Sequence, residues 1–158
     1  MTALRATAIL GVGNLVHTDD GVGVHAIRRL QLDPRVPPSR STTPGGTQGL
    51  GLLPHISGID RLLVIDAVDA GEAPGTVMKF EGASLHGLPG KSSVHQLGFS
   101  DMMIAMQLMG ETPPEVVVLG VQPLSTEWDD QLTPPVQDAL PFVLDQAIRQ
   151  LNDWAAPE

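Results

Sequence analysis

The chain contains no cysteine. Disulfides and thiolate chemistry are therefore excluded, and any metal must be held by carboxylate, imidazole or carbonyl groups. Basic residues are scarce as well: nine Lys and Arg stand against eighteen Asp and Glu, a formal net charge of -9. Such a chain repels nucleic acid and anionic membranes, and neither is expected as a partner. The deficit is uneven. From Ser92 to Glu158 the only Lys or Arg is Arg149, against ten acids, so this half presents a field suited to a cation or a basic partner segment, though the same charge also serves plain solubility. Apolar runs are short of the ~20 residues that span a bilayer, and no basic leader with an apolar h-region opens the sequence. The expectation is a soluble, cytoplasmic protein. Tandem repeats and low-complexity segments are missing too.

What is present fits one domain covering residues 1–158, since 158 residues bury a sizeable core but are too few for two ordinary domains. The most informative stretch runs from Ile9 to Val24. Ala6 to Val12 is an apolar run of strand length, rich enough in branched residues to be covered on both faces, as in a parallel sheet. Gly11 and Gly13 permit a tight turn. Thr18, Asp19 and Asp20 then precede a helical pattern at Gly23, Ala26, Ile27 and Leu30. The two acids sit past the carboxyl end of a strand, where open α/β sheets place their ligands. They read either as helix caps that satisfy free amides or as site residues. A dinucleotide fingerprint fits poorly, because two carboxylates follow the turn where a pyrophosphate would lie, and no P-loop lysine follows.

Further along, residues 33–39 hold three prolines and must be a surface connection. A short strand is expected at Arg40 to Thr43. Pro44-Gly45-Gly46-Thr47 reads as a second glycine turn, leading into a glycine-weakened helix that Pro54 helps to end. Arg61 to Gly71 is a second buried strand carrying Asp66 near its end, so Asp66 and Asp20 are expected to share one crevice at the sheet edge. Asp69 reads as a surface turn acid. Gly75 to Phe80 has the look of an edge strand with one wet face. Ser93-Val94-His95-Gln96 has the form of a capping box before Met102, Ala105, Met106 and Met109 at helical spacing, with the methionines as core filler. His95 thus falls in a first helical turn, where the dipole favours the neutral ring that binds a metal or accepts a proton; a structural histidine is the alternative, and is the reading for His17, His25, His55 and His86. Glu115 to Pro123 is a third strong strand. Asp129-Asp130 reads as a solvated loop pair. Thr133 caps and Pro134 begins a last helix whose inner stripe is Val136, Leu140, Val143, Ala147, Leu151 and Trp154, with a kink or break expected at Pro141. The fold class is α/β: three layers, a twisted, mostly parallel sheet of about five strands with helices on both faces.

Taken together, Gly11-Val12-Gly13-Asn14, Thr18-Asp19-Asp20-Gly21-Val22-Gly23, Gly45-Gly46-Thr47, Ile65-Asp66-Ala67 and Ser93-Val94-His95-Gln96-Leu97-Gly98 closely resemble the hydrogenase maturation endopeptidases. The resemblance runs in order through Pro123. It implies an enzyme that trims the carboxyl-terminal extension from the large-subunit precursor of a nickel-iron hydrogenase once nickel is in place. The family's metal-contacting trio falls on Asp20, Asp66 and His95, which become the candidate catalytic and metal residues, and its recognition turn falls on Gly45, Gly46 and Thr47. Where family members carry an acid before the glycine pair, this chain has Pro44. The resemblance further implies that nickel arrives with the substrate. Two carboxylates and an imidazole also suit such an ion on chemical grounds. A non-catalytic nickel carrier using the same trio is the rival reading, and a nucleotide-binding regulatory domain a third.

Overall fold

Three runs of branched apolar residues make the centre of the molecule: β1 (Thr7–Val12), β3 (Arg61–Ala67) and β5 (Glu115–Val121). Almost every residue in them is buried, so these strands need cover on both faces. The computed structural model describes residues 7–36, 41–46, 58–88 and 99–155. With β2 (Ser41–Gly46) and β4 (Val77–Glu81) they form one five-stranded sheet in the order β2-β1-β3-β5-β4. All neighbours are parallel except β4, which runs antiparallel to β5 at one edge. Lys79 and Glu81 are exposed there, in keeping with the wet face expected of this strand.

Alternation along the strands divides the core in two. Ile9, Leu63, Ile65, Val117 and Leu119 face α1 (Val22–Leu32) and the long C-terminal helix, here α3 (Pro134–Ala155). Ala8, Leu10, Leu62, Val64, Val116 and Val118 face α2 (Phe99–Met109) through Phe99, Met102, Met103 and Met106. Each fully buried Leu, Ile, Phe or Met contributes roughly 1.5–3 kcal/mol relative to exposure, so the two clusters hold the helices on opposite faces. The expected three layers are present. Of the expected methionine stripe, Met109 is exposed instead.

Two local readings differ from the structure. β2 is longer than expected and absorbs Pro44, Gly45 and Gly46, which had read as a turn. The strand tolerates them because it is an edge strand, where a proline need not donate, and because the register slips by one residue: Gly11 pairs with Pro44 but Val12 with Gly46. The second is the break that was one of two outcomes expected at Pro141. α3 runs through it without a break, because Leu140, Val143, Leu144 and Ala147 on either side all bury against the same face of the sheet. The helix expected at residues 48–54 and the Ser93–Gln96 capping box lie outside the described residues.

Candidate active site at the carboxyl edge of the sheet

The parallel strands end together. Val12 pairs with Gly46, and Asp66 pairs with Gly120 one step beyond the Gly11–Ile65 pair, so Gly46, Val12 and Asp66 lie in one row at the carboxyl edge. Past Val12 the chain turns at Gly13, with φ at 132°, and a Cβ there would lie 1.8 Å from the Asp20 carbonyl oxygen. Only glycine lets the turn fold back this closely. The 3-10 turn Thr18–Gly21 follows and delivers Asp19 and Asp20, both buried.

Gly23 then sets the distance between elements. A Cβ on it would meet the Ile65 carbonyl oxygen at 2.1 Å and that of Val12 at 2.6 Å. The start of α1 is thus wedged between the ends of β1 and β3, three residues after Asp20 and against the residue that precedes Asp66. This close approach gathers the two acids at one edge. Asp20 Oδ2 accepts a hydrogen bond from the Asn14 backbone N–H at 2.9 Å. Asp66 Oδ2 accepts one from the Phe99 N–H, at the start of α2, at 3.3 Å. Both carboxylates are nearly sealed from solvent, and each accepts a backbone donor.

Neither acid is a helix cap. The cap position of α1 is Gly21, that of the 3-10 turn is His17, and neither makes a side-chain capping bond. Asp19 instead accepts four bonds from distant chain: Oδ2 from the N–H groups of Leu124 and Ser125 and the Thr133 hydroxyl, and Oδ1 from the Thr133 N–H. Adjacent acids thus have separate partners, which the sequence could not resolve. Thr133 does precede Pro134, and its carbonyl accepts the first helical bond from Gln137 at 2.8 Å, but its hydroxyl is turned to Asp19.

The loop between β5 and α3 lies across the Asn14–Thr18 segment. Thr18 N–H donates to the Asp129 carbonyl at 2.9 Å and Asp129 N–H to that of Val16 at 3.1 Å. His17 Nδ1 lies 3.1 Å from the Thr126 carbonyl oxygen, the Thr18 hydroxyl donates to that of Glu127, and the His17 and Trp128 rings pack at a 39° tilt with centroids 4.3 Å apart. Thr18 adopts φ 52°, rare for a branched residue, so the surrounding bonds hold it there. A second latch was also missed in the sequence. Gln122 Oε1 accepts from the N–H groups of Ala70 and Glu72, while its Nε2 donates to Asp69 at 2.9 Å, tying the exits of β3 and β5 together. The Gln122 and Gly71 bonds hold the Asp69 carboxyl below the usual carboxylate range. Asp69 is exposed, as expected of a surface turn acid.

Among the other histidines, His25 has a buried Nε2 without a hydrogen-bond partner among the described residues. Burial, with help from Arg28 and Arg29 and against Asp130, lowers its pKa. Among the described residues no three His, Asp or Glu side chains gather as a metal site. His95, Thr47 and His55 lie outside the described residues; Gly45 and Gly46 sit in β2 beside Val12, at the edge that holds Asp20 and Asp66. A concavity of about 550 Å³ lined by Glu81, His86, Met103, Pro114 and Trp154 opens at the opposite end of β5. Ligands in α/β sheets bind at carboxyl ends, so the Asp20–Asp66 edge is the stronger candidate.

Comparison with known proteins shows the family. A family model described as hydrogenase maturation protease matches residues 24–150. The hydrogenase expression/formation protein HupD of Bradyrhizobium diazoefficiens is 38% identical over 155 residues, covering 92% of this chain and 78% of that protein. The hydrogenase 2 maturation protease of Escherichia coli is 35% identical over 147 residues, covering 92% and 90%. Among solved structures, the hydrogenase maturating endopeptidase HybD from Escherichia coli matches with a TM-score of 0.85 at 33% identity, covering 94% of this chain and 93% of that one. With a family model spanning most of its length and relatives aligned along nearly all of it, this chain belongs to the hydrogenase maturation protease family and is an endopeptidase.

Proposed function

We propose that the protein removes the carboxyl-terminal extension from the large-subunit precursor of a nickel-iron hydrogenase after nickel insertion. Asp20, Asp66 and His95 meet the nickel that the precursor carries and perform the catalytic role, and Gly45-Gly46-Thr47 recognises the substrate. The observation that carries this reading is the pair of buried carboxylates brought to one sheet edge, with a backbone N–H on Oδ2 of each. His95 precedes by four residues the N–H that is bonded to Asp66. An oxygen and nitrogen donor set without thiolate suits nickel with positions left for substrate groups. In this reading the ion is the mark of a finished precursor and comes with the substrate.

The test is incubation with the nickel-loaded large-subunit precursor of a hydrogenase from the same organism, read by mass spectrometry. Release of one carboxyl-terminal peptide from the nickel-loaded precursor, and none from the nickel-free form, is the expected result. A nickel carrier would bind the metal and leave the precursor mass unchanged.

A further inference from the structure

Three large apolar side chains are exposed on the two segments that run beside the carboxylates. Trp128 is 77% exposed, Leu124 57% and Val16 45%. They belong to the two segments that are cross-bonded through Thr18, Asp129 and His17, and that Asp19 fastens from beneath. Glu127, Asp129 and Asp130 are exposed on the same loop, and Gln122 to Thr133 contains no Lys or Arg. An exposed indole flanked by carboxylates attracts a cationic side chain twice over, by the ring face and by charge. The loop is already held by hydrogen bonds and the tilted His17–Trp128 ring contact, so a partner loses little entropy in docking on it.

Resting on the reading that a hydrogenase precursor is the substrate, we propose that Val16, Leu124 and Trp128, with Glu127, Asp129 and Asp130 exposed on the same loop as Leu124 and Trp128, dock a Lys- or Arg-bearing segment of that precursor. Continuity supports this occupant. Val16 is four residues from Asp20 on the same loop, so a segment seated here lies next to the edge where the tail is cut. The surface gives affinity and register, and the carboxylates give chemistry.

The test measures binding of the nickel-loaded precursor to the intact protein by interferometry, alongside KM and kcat for tail release. Trp128→Ala weakens binding about thirtyfold, the loss expected of an interface anchor, and raises KM while kcat stays within twofold. The double variant Glu127→Lys, Asp130→Lys slows association about tenfold at low salt, a difference that shrinks as salt is added. Phe142→Ala, which truncates an exposed ring on α3, leaves both unchanged. Each variant is first shown to melt within a few degrees of the parent. Unchanged binding in the Trp128 and charge variants overturns the proposal, as does equal weakening by Phe142→Ala. So does loss of a self-dimer in Trp128→Ala with precursor binding intact. If the parent binds through this face yet releases no tail, the proteolytic reading fails and the docking face stands.

Discussion

Asp19 accepts both the hydroxyl and the backbone N–H of Thr133, at 2.7 and 2.8 Å, across 114 positions of chain. With Leu124 and Ser125 adding two more donors, a fully buried carboxylate closes the loop that follows β5 onto the loop that follows β1. Four donors converge on two oxygens that carry no hydrogen of their own.

Asp19→Asn therefore destabilises the protein sharply. Whichever way the amide is turned, its NH2 faces a donor, and the expected loss is ~3 kcal/mol in urea unfolding at neutral pH. Asp20→Asn should cost far less, and an equal cost would show that Asp19 is not the clamp.

Gly23→Ala introduces a Cβ into the space between the Val12 and Ile65 carbonyls. The start of α1 must back away from the strands, at a cost of about 3 kcal/mol, and Asp20 moves with it. Processing of the precursor should fall about a hundredfold even at temperatures where the variant is folded. An unaltered melting temperature would mean that the wedge is not tight.

Asp20→Asn, Asp66→Asn and His95→Ala each abolish tail release. The two amides keep an oxygen for the Asn14 and Phe99 N–H groups, and uncut precursor should accumulate beside a folded enzyme, as a melting curve of each variant checks. Normal processing rates in all three would remove the trio from the mechanism.

His25 makes stability depend on pH. Its folded pKa lies below its ordinary 6.5, so between those two values the unfolded chain holds a proton that the folded chain refuses. Stability is then full above about pH 7, declines as pH falls through 6.5, and levels off below the folded pKa. The fall in melting temperature from pH 7.5 to pH 5 should be smaller in His25→Gln than in the parent. An identical fall in both would show that His25 does not contribute.

The three central strands were legible because runs such as Leu62-Leu63-Val64-Ile65 leave no polar face, and the expected meeting of Asp20 and Asp66 at one edge followed from parallel connection alone. β2 was misread. Its proline and paired glycines argue locally for a turn, and only its place at the sheet edge with a register slip lets them extend. The division of labour between Asp19 and Asp20 was hidden for another reason: the partners of Asp19 are 105 to 114 residues away, and no local pattern announces them. Trp128 was silent too, since exposure of one indole depends on how its loop is pinned.

The Asp19 clamp also bears on the order in which the chain is made. A ribosome delivers Asp19 and Asp20 long before Leu124, Ser125 and Thr133, so until then Asp19 has water in place of its four donors. β4 waits as well, for the sheet receives it only through β5. The carboxylate edge is therefore completed near the end of synthesis, and nascent fragments that stop short of Thr133 should release no tail from a precursor even though they contain Asp20, Asp66 and His95.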